Sequence, residues 1–102
     1  MNSLIQSNRA ALETLCRLHH VKRLDLFGSA ATAAFDHETS DLDFLVEFDN
    51  VPEMNRADQY FGLLESLQGL FRRDVDLVTF KSMRNPYFIR NVDETRLSLY
   101  AA

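Results

Sequence analysis

Two carboxylates, Asp41 and Asp43, stand one residue apart where the run Leu42-Asp43-Phe44-Leu45-Val46 begins. On a strand side chains alternate between faces, so both acids point the same way. Like charges held that close repel, and each favours its protonated form. A divalent metal removes the conflict, because hard cations such as Mg²⁺ take carboxylate oxygens and keep positions open for phosphate. Asp76 is a third acid, set between Val75 and Leu77 in an apolar stretch. A lone carboxylate buried there is costly unless it is paired or bound to metal. Gly28-Ser29 follows the apolar Leu24–Phe27 and reads as a tight turn whose backbone N–H groups and hydroxyl can take a phosphate. Each feature alone has a plainer reading: a solvated strand start, an edge-strand acid, a common turn. Together they describe a two-metal clamp for in-line displacement at phosphorus. Asp41 and Asp43 would each bridge two metal ions. Asp76 would bind the second ion and help take a proton from the attacking hydroxyl. Gly28 and Ser29 would hold the β- and γ-phosphates.

The elements that must position these groups follow from hydrophobic periodicity. Residues 3–18 read as one amphipathic helix with Leu4, Ile5, Ala11, Leu12, Leu15 and Leu18 on its apolar side and Cys16 beside it. Val21–Phe27 reads as a strand with Leu24 and Leu26 on one face and Val21, Arg23, Asp25 and Phe27 on the other. Asp25 is expected near an edge, or paired with Lys22 or Arg23. Ala30–Ala34 has the propensity for one or two helical turns. His37 falls in a polar loop. Asp41–Phe48 is the second strand, with Leu42, Phe44, Val46 and Phe48 facing the core. Asn50–Glu53 reads as a cap and turn with Pro52 in a first helical turn. A second helix then runs to about Gln68, burying Ala57, Tyr60, Phe61, Leu63, Leu64 and Leu67, with Asn55 as the alternative cap. Gly69 is expected to be its left-handed terminator. Asp74–Phe80 is the third strand. Asn85-Pro86 marks a short helix start, and Leu97–Tyr100 is an apolar end that can pair with a sheet edge. The fold class expected is α/β, a small mixed sheet flanked by helices, over a single domain spanning residues 1–102.

Composition bounds the rest. The 102 residues are 46% hydrophobic with eight Phe, enough for a real core. No apolar run approaches the ~20 residues that span a bilayer. The N-terminus lacks the basic start and apolar block of a secretory signal. A single cysteine makes no internal disulfide, so the cytoplasm is the expected compartment. A net charge of −4 argues against direct nucleic-acid binding. It leaves nucleotides open, because a metal can bring positive charge to the site.

Gly28-Ser29, then Asp41-Leu42-Asp43, then Asp76 in Val75-Asp76-Leu77-Val78 resembles the DNA polymerase β-type nucleotidyltransferase superfamily. The short chain is similar to its minimal nucleotidyltransferase group, the MntA-like antitoxins. The resemblance implies a polymerase-β-palm-like fold, Mg²⁺ on Asp41, Asp43 and Asp76, nucleoside triphosphate on Gly28 and Ser29, and ATP as substrate. It also implies a helical HEPN-family ribonuclease toxin as partner, silenced by transfer of AMP to one of its tyrosines. Two positions depart from the family pattern. Thr32 stands where Arg is frequent, and Ala33 where Gly is frequent. Eleven residues separate Ser29 from Asp41, one more than usual. Lys81 or Arg84 could replace the missing phosphate contact. Two other functions fit the same residues: an antitoxin that neutralises by contact alone, and a transferase acting on a small-molecule or RNA hydroxyl.

Overall fold

The computed structural model describes residues 3–32 and 41–102. Ala33, His37 and the second half of the expected Ala30–Ala34 helix lie outside the described residues. Four strands form one mixed sheet: β1 (Val21–Phe27), β2 (Leu42–Phe48), β3 (Val75–Thr79) and β4 (Leu97–Ala101), in the order β3-β2-β1-β4. β1 runs antiparallel to both β2 and β4, and β2 runs parallel to β3. Parallel neighbours need a crossover. Helix α3 (Arg56–Phe71) supplies it here. The apolar C-terminal run pairs with β1 as expected, which leaves β1 and β2 as the central strands.

Helices α1 (Ser3–Ser7) and α2 (Arg9–Leu18), together with α3, cover one face of the sheet. Ile5, Leu12, Cys16, Leu63, Leu67 and Phe71 pack there against Leu24, Leu26, Leu42, Phe44 and Val46. Burial pushes the Cys16 thiol up to about 12, so it is an inert core group. Helix α4 (Pro86–Thr95) covers part of the other face, where Val92 and Phe88 meet Phe27 and Leu45. Two asparagines start the long helices. Asn55 Oδ1 accepts from Ala57 N–H at 2.7 Å, and Asn85 Oδ1 accepts from Tyr87 N–H at 2.9 Å, with Pro86 in the first turn.

Several expectations are corrected. The N-terminal helix is two pieces, because the Asn8 side-chain amide donates to the Leu4 carbonyl at 2.9 Å and competes with the backbone ladder. Val21 joins the same core as Leu24, since the β1–β2 register shifts between Val21 and Arg23 and a bulge turns Val21 over. Asp25 lies on a central strand rather than an edge. Its side chain is 3% exposed and is held by Arg23 Nη2 at 3.2 Å and Arg96 Nε at 3.6 Å. The Arg23 partner was the expected one; Arg96 is new.

Gly69 does not end α3. The helix continues to Phe71, and Arg72 takes the left-handed position at φ 53°, its N–H bonded to Gln68 O at 2.8 Å. The reason is burial. Phe71 stacks on Phe44 with ring centroids 5.9 Å apart, and that contact draws the helix past the glycine. The buried stripe is Gln59, Leu63, Leu67 and Phe71, while Ala57 is exposed and Phe61 is 62% exposed. Gly62 lets α2 approach α3. A Cβ there would sit 3.1 Å from the His19 ring, and His19 Nε2 lies 3.1 Å from Ser66 Oγ. At Gly69 a Cβ would meet nothing within 4 Å. Gly69→Ala is therefore expected to stabilise the protein by up to about 1 kcal/mol. A thermal melt should show a rise of several degrees; a fall would mean that the glycine conformation is needed there.

Candidate active site

Strand direction decides which residues meet. Since β1 runs against β2 and β2 runs with β3, the C-terminal end of β1 lies at the same sheet end as the starts of β2 and β3. Phe27 is opposite Asp43, and Asp43 is opposite Asp76. Neighbouring register positions share a face, so Asp43 and Asp76 sit side by side. Gly28 follows Phe27 at the same end. Asp41 immediately precedes β2 and is exposed. The second strand thus begins at Leu42, one residue later than the sequence suggests.

Asp43 is the partly buried member of the three acids. Its carboxyl is raised from the ordinary 3.8 to about 6, chiefly by burial, then by the Asp76 and Asp41 charges. Asp76 is exposed on the edge strand β3, so the expected cost of burying it does not arise. Its effect is felt by its neighbours. It also helps, after burial, to raise the Tyr60 phenol, whose hydroxyl donates to the Leu77 carbonyl.

Gly28 is tied to Asp43 by space. Its φ is +71°, and a Cβ on it would lie 2.5 Å from Asp43 Oδ2. A side chain there would push the carboxylate aside, and the left-handed φ itself favours glycine. Gly28–Ala31 forms a short 3₁₀ turn with Ala30 buried beneath it. The Gly28 N–H does not face outward. It donates to Thr95 Oγ1 at 2.9 Å, and that hydroxyl donates to Asn91 O at 2.9 Å. What Gly28 contributes to the turn is room, rather than a donor for phosphate. Thr32 closes the turn: its N–H and its hydroxyl both donate to Ser29 O at 3.1 Å.

Lys81 is not placed to take over from an arginine at position 32. It follows the far end of β3 from Asp76, beside a cavity of about 620 Å³ lined with Lys22, Phe48, Arg56 and Phe80 among others. Sequence reasoning missed Thr95 altogether. A threonine at a helix end carries no signal until the fold sets it against Gly28.

Among the described residues no three His, Cys, Asp or Glu side chains converge into a cage for an ion. Mg²⁺ asks for fewer protein ligands than such a cage, one or two carboxylates with water and substrate phosphates supplying the rest. The all-carboxylate donor set is the hard, oxygen-rich kind that this ion takes.

The family model for the nucleotidyltransferase domain matches residues 9–99, and the chain belongs to that family. A protein of Methanocaldococcus jannaschii named "Putative protein adenylyltransferase MJ1379" is 40% identical over 78 residues, 74% of each chain. A solved structure described as a "putative minimal nucleotidyltransferase" superposes with a TM-score of 0.71 at 30% identity, covering 91% of this chain and 90% of that one. A chain in the complex of a tri-AMPylated Shewanella oneidensis HEPN toxin with an MNT antitoxin gives a TM-score of 0.64 at 21% identity. That match covers 95% of this chain and 72% of that one, and shows a shared fold. The family and fold class expected from the motifs are both found.

The folded protein holds the Asp43 proton more tightly than the unfolded chain. Stability therefore falls as pH rises from 3.8 to about 6, and the full penalty is present above that. Asp43→Asn removes the penalty. In metal-free buffer the variant should melt above the wild type at neutral pH, with the difference closing as the pH falls below 3.8. A variant that melts lower at neutral pH would show that the carboxylate is stabilised rather than strained.

Proposed function

We propose that this chain transfers AMP from ATP to a tyrosine hydroxyl of a partner protein, a HEPN-family ribonuclease toxin, and so acts as its antitoxin in the cytoplasm. The observation that carries the reading is the juxtaposition of Asp43, Asp76 and the Gly28 turn at one sheet end. The relative named for protein adenylylation, at 40% identity, supports a protein acceptor. The complex of an AMPylated HEPN toxin with an MNT antitoxin supports the partner class.

In this reading Asp41, Asp43 and Asp76 would hold Mg²⁺, which would supply positive charge against the phosphates and the reacting oxygen. The Gly28-Ser29 turn seats the β- and γ-phosphates, with Gly28 giving clearance and Ser29 the polar contact. The tyrosine oxygen forms a bond to the α-phosphorus. The bond from that phosphorus to the oxygen bridging to the β-phosphate breaks, and pyrophosphate leaves. Asp76, exposed on the edge strand, takes the phenolic proton. Asp43, crowded by two like charges, is the group that gains most from a cation. The remaining work is positioning.

Incubation of the chain with ATP, Mg²⁺ and the toxin should add AMP to a toxin tyrosine, seen by intact-mass and fragment spectra. Asp43→Asn and Asp76→Asn should each cut the rate about a hundredfold or more, since several kcal/mol of charge stabilisation is lost. A toxin silenced with no adduct would remove the proposal. One observation favours the contact-only alternative: the Thr32 hydroxyl is folded back on Ser29 O, where an arginine could have reached phosphate. Neutralisation that survives the double change Asp41→Asn, Asp43→Asn would decide for it.

A further inference from the structure

We infer that Thr95 is a positioning residue of the nucleotide site, holding the Gly28 turn in register with Asp43. The inference rests on the site reading above and goes beyond it to a residue on a different element.

Gly28 must do two things at once. It adopts φ +71°, and it lets its α-carbon lie against the Asp43 carboxylate, where a Cβ would come within 2.5 Å of Oδ2. Glycine's freedom permits this conformation but does not select it, since a glycine samples positive and negative φ about equally. Something outside the turn must choose. The Gly28 N–H donates to Thr95 Oγ1 at 2.9 Å, across 67 positions of sequence. That hydroxyl also donates to Asn91 O at 2.9 Å, one helical turn back. With its single proton committed to Asn91, the oxygen presents a lone pair to Gly28. A threonine or serine can play both parts; valine and alanine cannot.

The anchor is itself fixed. Thr95 is the last residue of α4, and Arg96 follows it. Arg96 N–H bonds to Val92 O at 2.8 Å, and Val92 is fully buried against Phe27 and Leu45. Arg96 Nε reaches the buried Asp25 carboxylate at 3.6 Å, beside Arg23 at 3.2 Å. Asp25 lies on β1 two residues before Phe27, so the end of α4 is bound to the strand that delivers the turn. The hydroxyl cannot drift from Gly28 without disturbing the arginine contacts of the buried Asp25 carboxylate or an apolar contact. Asp43 is aligned by the β1–β2 register opposite Phe27. Phosphate seat and carboxylate are thereby set from the same strand.

The test compares wild type with Thr95→Val, Thr95→Ala and Thr95→Ser. Two readouts are taken: exchange of the Gly28 amide hydrogen by NMR, and AMP-PNP affinity with Mg²⁺ by titration calorimetry. Wild type and Thr95→Ser should protect the amide and bind alike. Thr95→Val and Thr95→Ala should expose the amide and weaken AMP-PNP about tenfold, the worth of one lost hydrogen bond. The alanine variant serves if valine does not fold. An amide equally protected in all four proteins overturns the inference, as does an exposed amide with unchanged affinity. A wild type that protects the amide but binds no AMP-PNP overturns the nucleotide reading of the site. The amide readout in that case still shows whether Thr95 holds the turn.

Discussion

The structure depends on one tight place: the packing of the Gly28 backbone against the carboxylate of Asp43. Three chains of contact converge there. β1 brings Gly28, the parallel pairing of β2 with β3 brings Asp76 beside Asp43, and α4 brings the hydroxyl that fixes the turn. The acids gathered at this end repel one another, and burial of Asp43 sharpens the repulsion. That arrangement opposes folding, so it persists only because the rest of the domain enforces it. The enforcement is ordinary: a sheet buried on one face by α1 to α3 and on the other by the Phe27, Leu45 and Val92 cluster.

The same face of the sheet handles Asp25 differently. Asp25 is more deeply buried than Asp43, yet it is met by two guanidinium groups, and one of them, Arg23, also lies 4.5 Å over the Phe80 ring. Asp25 is neutralised where it is buried, whereas Asp43 is half-buried beside two further acids that raise its carboxyl. Asp25 looks toward the junction of α4 and β4, where Arg96 is available, and Asp43 looks toward the open end.

Much of this was legible in the sequence, for identifiable reasons. β1, the body of β2 and the alternation that sets Leu42, Phe44, Val46 and Phe48 inward follow from a period of two. Asn85-Pro86 announced a helix start, because an asparagine oxygen can take first-turn N–H groups and proline suits the first turn. For α3 the sequence offered Asn50–Glu53 first and Asn55 second, and the structure uses Asn55. The three acids stood out because aspartate suits a strand poorly. Other features needed the third dimension. The Val21 bulge is a pairing event between strands. The continuation of α3 through Gly69 was decided by Phe71 finding Phe44, a contact 27 residues apart in sequence. Local propensity at Gly69 and Arg72 pointed the other way and lost to burial. Thr95 was invisible because its meaning lies wholly in a hydrogen bond to a residue 67 positions earlier.

The central claim is that Asp43 is a strained carboxylate waiting for a cation. Carboxyl-carbon NMR across pH reads it directly. The account predicts a titration near 6 in the metal-free protein, and a clear fall when Mg²⁺ and AMP-PNP are added together. A carboxyl that titrates at the ordinary value for aspartate, or one that ignores the metal and nucleotide, would contradict it.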